Sequence, residues 1–177
     1  MTYIALLRGI NVGGNKMVAM ADLQKALAAL GFTDVSTLLQ SGNAVFCGKA
    51  AKSAALEALL EKELAKRLKV TCDVHVRTAE EWSAIIAANP FEKEAKEDPG
   101  HLLVTVYRQP LDTTRVAALE TAITGPERLR ADGRTLYMTY PDGVGNSKAA
   151  ILAGKMLGPG TARNWNTVLK LAARACE

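Results

Sequence analysis

The order in which strand and helix patterns follow one another is the feature that most constrains the fold of this chain. In the first half, hydrophobic spacing predicts strand, helix, strand, strand, helix and strand. The corresponding segments are residues 2–9, 20–30, 34–40, 43–48, 53–68 and 72–78. This order is that of a ferredoxin-like module. A single α/β sheet is the alternative, but two adjacent strands with no helix between them disfavour it.

The second half shows most of the same order. Residues 101–107 predict a strand, residues 112–123 a capped helix, and residues 127–140 two strands joined by a type I′ turn at Asp132-Gly133. A helix over residues 147–157 follows, and Thr161 is the expected N-cap of a last helix. Because no clear fourth strand is visible, this half is expected to be an incomplete module.

The chain is therefore predicted to be an α+β protein of two tandem ferredoxin-like modules plus a C-terminal helix, which implies a domain duplication. Residues 89–100, "NPFEKEAKEDPG", are rich in charge and bounded by proline, so they are the predicted linker. The predicted domains are residues 1–88 and residues 101–177.

Composition limits the classes of function. The formal charge of +4 and the pI of about 9.0 give a weak preference for anionic partners. Aromatic residues make up only 5% of the chain, which argues against a base-stacking surface. Cys47, Cys72 and Cys176 fit neither a disulfide framework nor a metal knuckle, and reduced thiols indicate a cytoplasmic protein. No signal peptide and no membrane-length apolar run are evident, so a membrane partner is not expected.

A glycine-rich loop lies between the first strand and the first helix, in "LLRGINVGGNKMVAMADLQ". Its Gly9-x4-Gly14-Asn15-Lys16 pattern is close to a nucleotide-binding P-loop but fails as one. The lysine arrives one residue late, no Ser or Thr follows it, and the helix is expected to begin near Ala19. The alternative is a structural turn, for which glycine is the default residue.

The predicted topology brings this loop beside a second polar turn. In a ferredoxin-like sheet the first and third strands are antiparallel neighbours, so Arg8 lies near Asn43. The residues expected to converge there are Arg8, Asn11, Gly13, Gly14, Lys16, Gln40, Ser41 and Asn43. Cationic and amide groups around a glycine-rich backbone suit an anion or an amide-rich ligand.

Two further segments carry candidate binding residues. In "RNWN" the residues Arg163, Asn164 and Asn166 surround an indole on the last helix, although a solvated basic face is the common alternative. In "GVGNSK" Ser147 is a predicted helix cap, and Lys148 follows in the first helical turn. A cation there is disfavoured by the helix dipole, and a bound anion would relieve that conflict.

Catalytic signals are weak. His75 and His101 both lie in predicted strands, where a lone histidine is usually structural. No nucleophile and base arrangement and no metal-ligand spacing is visible, so no cofactor or metal is expected and the catalytic residues are unknown.

Four segments together resemble one bacterial family, catalogued as domain of unknown function 1697. They are "ALLRGINVGGNKMVAMADL", "GFTDVSTLLQSGNAVF", the Ser147-Lys148 pair and "TARNWNTVLKL". The resemblance implies an α+β protein of two ferredoxin-like units and brings no established activity. It also implies that the signature positions are Arg8, Asn11, Gly13, Gly14, Lys16, Gln40, Ser41, Asn43, Arg163, Asn164, Trp165 and Asn166.

Three functions fit these patterns. The first is binding of a phosphate-bearing ligand, either nucleic acid or a nucleotide. Its charge would come from Arg8, Lys16, Lys148 and Arg163, and its amide contacts from Asn11, Gln40, Asn43, Asn164 and Asn166. The second is an enzyme acting on a small anionic or amide metabolite at the same site. The third is a structural or interaction module without a ligand.

Overall fold

The computed structural model describes residues 1–14, 16–145 and 147–176. Within these ranges the chain forms a mixed α+β fold with two four-stranded antiparallel sheets and seven helices. It divides into two compact units, residues 1–84 with 170–177 and residues 85–169.

The first sheet has the strand order β2-β3-β1-β4, in which consecutive β2 and β3 form a hairpin. Its elements are β1 Thr2–Leu7, α1 Met20–Ala29, β2 Thr33–Leu38, β3 Asn43–Cys47, α2 Ser53–Leu68 and β4 Val74–Thr78. The helix α3 Ala79–Ala87 follows β4 directly. Alternate β1 residues Tyr3, Ala5 and Leu7 join side chains of α1 and α2 in one core. Ile4 and Leu6 on the opposite face are also buried, so both faces of β1 are covered, as expected of a strand with an almost continuous apolar run.

Carboxylates from α2 engage the outer edge of this sheet at β4. Glu61 Oε1 accepts the Val74 N–H at 2.8 Å, and Glu57 Oε1 accepts the Val76 N–H at 2.9 Å. Residues four apart on a helix and two apart on a strand point in one direction, so one helix face can reach both backbone donors. Two backbone N–H donors of an edge strand are thus satisfied by side chains.

The second sheet has the corresponding order β6-β7-β5-β8. Its elements are β5 Leu102–Val106, α5 Thr113–Ala122, β6 Arg128–Asp132, β7 Thr135–Thr139, α6 Lys148–Leu157 and β8 Thr161–Asn164. The short helix α4 Glu92–Glu97 precedes β5 and lies within the charged segment 89–100, and α7 Trp165–Ala175 follows β8. Leu119, Leu129, Leu136 and Met138 are central to the core of this unit.

A fourth strand in the second half corrects the sequence prediction. Residues 161–164 pair with β5, in a register that runs from Leu103 opposite Asn164 to Val106 opposite Thr161. Four residues are too few to show alternation, so the neighbouring strand decides the conformation. Gly160 permits the approach, because a Cβ there would lie 2.7 Å from Thr105 Cγ2. Thr161 is consequently a strand residue and not a helix cap.

The hairpin predicted at Asp132-Gly133 is present, but its turn differs from the expected type. Asp132 pairs with Thr135, so Gly133 and Arg134 form the loop. Gly133 has φ +51°, whereas the φ of Arg134 is not positive. A type I′ turn requires positive φ at both central residues, so that prediction was wrong.

Candidate functional site

At one end of the first sheet, the strand β1 ends and the strands β3 and β4 begin. Leu6 lies opposite Asn43 and Leu7 lies opposite Val74. Beyond these pairs, Leu7 N donates to Gly42 O at 2.8 Å and Arg8 N donates to Asp73 O at 2.9 Å. We name this end of the sheet the rim and define it as residues 8–14, 16–18, 39–43 and 72–73.

Asn11 fastens the glycine-rich loop to the β2–β3 turn. Its Nδ2 donates to Gln40 O at 2.6 Å and to Val18 O at 2.9 Å, while its Oδ1 accepts the Val18 N–H at 2.7 Å. Asn11 N also donates to Lys16 O at 3.2 Å. Asn11 has φ +54°, a left-handed conformation that asparagine tolerates better than most residues. The predicted proximity of loop and turn therefore has a direct physical basis in this one side chain.

We expect Asn11→Gly to lower the free energy of unfolding by about 2–3 kcal/mol, because three side-chain hydrogen bonds, two of them part-buried, are lost. Glycine keeps the left-handed backbone without strain, so the loss reports the amide contacts. Urea unfolding monitored by circular dichroism measures it. Asn11→Ala adds backbone strain and should be less stable by about 1 kcal/mol more. An Asn11→Gly protein as stable as the wild type would show that these bonds contribute nothing.

Asn43 holds the turn from within. Its side chain is fully buried, and its Nδ2 donates to Leu38 O at 2.8 Å and to Ser41 Oγ at 2.9 Å. Gly42 packs under the loop with φ +76°, and a Cβ there would lie 2.6 Å from Ile10 Cδ1. Gln40 and Ser41, in contrast, are exposed. Asn43 therefore shapes the turn, and the exposed pair faces solvent.

The charged groups of the rim lie around this frame. Arg8 Nη1 pairs with Asp73 Oδ2 at 3.3 Å, and both side chains are about half exposed. Lys16 is exposed, and its positive charge acts on the neighbouring Cys72 thiol. Burial raises the pKa of Cys72, the charge of Lys16 opposes that rise, and Asp73 adds to it. Two cations and one carboxylate thus share the rim, which leaves it net positive.

Two glycines of the loop have positive φ and open surroundings. Gly13 has φ +61° and Gly14 has φ +77°, and a Cβ at either position would have no neighbour within 4 Å. Their conformation, and not a lack of space, therefore requires glycine. Asn15 of the P-loop comparison lies outside the described residues. The helix α1 begins at Met20 with Ala19 as its N-cap, which confirms the late helix start.

The predicted residues of the second unit occupy two other places. Asn164 Oδ1 accepts both the Thr167 N–H at 3.0 Å and the Thr167 Oγ1 hydroxyl at 2.9 Å, so it caps α7. Arg163 lies on β8, where its Nη1 donates to Thr161 Oγ1 and to Ala162 O, and burial lowers its pKa to about 10. Asn166 is exposed in the first turn of α7. Arg163 and Asn164 are thus both engaged in local contacts.

Lys148 begins α6 beside a cleft of about 400 Å³. Ser147 caps that helix as predicted, since its Oγ accepts the Ala150 N–H. Ser147 Oγ also donates to Glu127 Oε1 at 2.5 Å. Because Glu127 and Asp142 both line the cleft with Lys148, its charge does not favour an anion.

Catalytic and metal-binding groups are sparse in the described parts of the chain. His75 is buried in β4, and the exposed His101 pairs through Nδ1 with Asp98 Oδ2 at 2.8 Å. Within residues 1–14, 16–145 and 147–176 no three His, Cys, Asp or Glu side chains are arranged to hold a metal ion. None of the helices in these ranges is long and apolar enough to cross a membrane.

Asp73 and Cys72 belong to the rim but were not among the residues predicted for it. The strand pairing could have predicted them, because β4 pairs with β1 and the residues before β4 must therefore lie next to the end of β1. The sequence pattern alone showed no link between positions 8 and 73.

Comparisons with known proteins identify a similar solved structure and a matching family. The solved structure of a conserved bacterial protein from Streptococcus pneumoniae shares the fold, with a TM-score of 0.76, 24% identity and coverage of 98% of both chains. No curated protein matches the chain at a significant level. Residues 1–137, which include the whole rim, match the family described as "Protein of unknown function (DUF1697)". The chain belongs to this family.

Proposed function

We propose that the rim of the first unit binds a phosphate-bearing ligand, either nucleic acid or a nucleotide. The observation that supports this function is that Arg8 lies at the end of β1, paired with Asp73, and that Lys16 lies on a loop whose backbone is bonded to Asn11. Because the Arg8 side chain and the Lys16 backbone are held before binding, less conformational freedom is lost when a phosphate arrives. The exposed backbone of Gly13 and Gly14 lies between them in the chain and would allow close approach of an anion.

In this proposal the asparagines and the cations have different roles. Asn11 and Asn43 use their amides on backbone carbonyls, which supports a structural role for these two residues. Gln40 and Ser41 are exposed on the turn and remain proposed ligand contacts with Arg8 and Lys16. Lys148, Arg163, Asn164 and Asn166 are not required for binding at the rim.

The test is binding of a fluorescein-labelled single-stranded 12-nucleotide DNA, followed by anisotropy at increasing salt. Lys16→Ala and Arg8→Ala should each weaken binding about three- to tenfold, and each should reduce the slope of log affinity against log salt by about 0.7. ATP as competitor distinguishes a nucleotide site from a polymer site.

Lys62→Ala is the matched control, because Lys62 is an exposed lysine on α2 of the same unit. It should leave affinity and salt slope nearly unchanged. Equal losses for Lys62→Ala and Lys16→Ala, or binding that does not respond to salt, would refute a phosphate site at the rim.

We also propose that both units are ferredoxin-like modules derived from one duplicated unit. The element order β-α-β-β-α-β occurs in each sheet, and the strand orders β2-β3-β1-β4 and β6-β7-β5-β8 correspond position by position. The division into domains 1–88 and 101–177 around residues 89–100 stays a prediction. Limited proteolysis tests it, because cleavage should concentrate in that segment if it is a linker.

A further inference from the structure

Three large apolar side chains of the rim are exposed. Val12 is 67% exposed, Met17 69% and Leu39 53%. Each is the chain neighbour of one member of a bonded trio, because Asn11 contacts both Gln40 and Lys16. The same hydrogen bonds that fix the loop therefore bring the backbones of these three residues to one region of the rim. We name them the apolar triplet.

Leu39 occupies a backbone conformation that its side chain disfavours. Its φ of +60° lies in the left-handed region, where a bulky residue is a clear outlier. Glycine or asparagine would adopt this conformation with less strain. A strained leucine that points into solvent gains little from burial, so stability does not explain its presence. Strain of this kind is concentrated at functional sites.

We propose that the apolar triplet contacts the bases of a single-stranded nucleic acid whose phosphates meet Arg8 and Lys16. This inference rests on the proposed function of the rim. Unpaired bases present apolar faces close to the phosphate backbone, whereas a duplex stacks those faces away from the surface and presents phosphates on its outside. A free phosphate or polyphosphate offers nothing for the triplet to cover.

The width of the rim limits the length of strand that it can contact. Neighbouring strands lie about 4.8 Å apart, so the rim, which crosses β3, β1 and β4, extends over roughly 10 Å. A short stretch of a strand covers that width, and so does a single nucleotide, so the preference for a strand rests on the apolar triplet and not on the width. Aliphatic side chains in place of aromatic ones contact every base in a similar way, so recognition should depend weakly on base sequence.

The experiment compares three probes by anisotropy or competition: a single-stranded 12-nucleotide DNA, the same sequence as a duplex, and inorganic polyphosphate of similar charge. We expect the single strand to bind best. Leu39→Asn should weaken its binding about fivefold, since one partly covered aliphatic side chain is lost. It should leave polyphosphate binding and the salt slope unchanged. Asparagine tolerates the left-handed backbone, so the melting temperature should not fall.

Leu59→Gln is the control, because Leu59 is an exposed leucine on α2 of the same unit, and it should change no affinity. Val12→Ser tests a second member of the triplet and should act like Leu39→Asn. If the three wild-type affinities are equal, or if Leu39→Asn weakens polyphosphate equally, the base-contact inference is wrong while the phosphate site stands. Absence of binding to all three probes and to ATP at low salt would refute both proposals.

Discussion

Glu57→Ala should lower the free energy of unfolding by about 3–5 kcal/mol, one of the two largest effects expected in this protein. Glu57 on α2 and Arg77 on β4 form a buried ion pair, with 4.0 Å between Oε1 and Nη1 and side chains 7% and 3% exposed. The same carboxylate oxygen accepts the Val76 N–H at 2.9 Å. Alanine removes the counter-charge of a buried guanidinium and the acceptor of an edge-strand donor in one change.

Chemical denaturation of three variants separates these contributions. Glu57→Gln keeps an oxygen acceptor for Val76 and removes only the charge, so it should be less damaging than Glu57→Ala. Glu61→Ala is the matched control on the next turn of α2, where a partly exposed carboxylate accepts the Val74 N–H. It should cost about 1–2 kcal/mol. If Glu57→Ala were no more damaging than Glu61→Ala, the buried pair would have no special weight.

Gly42→Ala should also be strongly destabilising, by about 3 kcal/mol, and should weaken the proposed binding of DNA at the rim. Two effects combine, because φ is +76° and the added Cβ would lie 2.6 Å from Ile10 Cδ1 and 2.8 Å from Leu7 Cβ. The Ile10 side chain can rotate away, but relief of the contact with Leu7 Cβ requires the turn to move relative to β1. Thermal and urea unfolding measure the stability, and the DNA anisotropy assay measures the binding.

Gly13→Ala separates strain from crowding. Gly13 has φ +61°, but a Cβ there would have open space around it. The substitution should cost only about 1 kcal/mol of backbone strain. The difference between the two losses in free energy of unfolding then measures the steric crowding of the added Cβ at Gly42. Equal losses would mean that the close approach of Gly42 to Ile10 is relieved at no cost.

The sequence predicted the first unit well because its signals were local and strong. The regular spacing of Leu23, Leu27, Leu56 and Leu60 predicted α1 and α2, and these side chains share the core with β1. The proximity of the loop and the 40–43 turn followed from strand pairing alone. The strand β8 was missed because its conformation comes from pairing with β5 and not from its own four residues.

The site was less predictable than the fold, because side-chain partners depend on loop conformation. Amides at Asn11 and Asn43 were predicted as ligand contacts, yet their hydrogen bonds go to backbone carbonyls brought close by turns of unusual φ. The ion pair of Arg8 with Asp73 joins residues 65 positions apart. No local pattern encodes such a contact, and the same holds for the left-handed backbone of Leu39.

The α2 carboxylates that accept from β4 have a consequence for how this protein can associate with others. An exposed sheet edge invites a foreign strand to add to it, which is a common route to aggregation. On β4 the outward Val74 and Val76 donors are already taken by Glu61 and Glu57, and an incoming chain would have to displace two acidic side chains first. The two carboxylates therefore block strand addition at β4, and addition to the first sheet is expected at its other edge strand, β2.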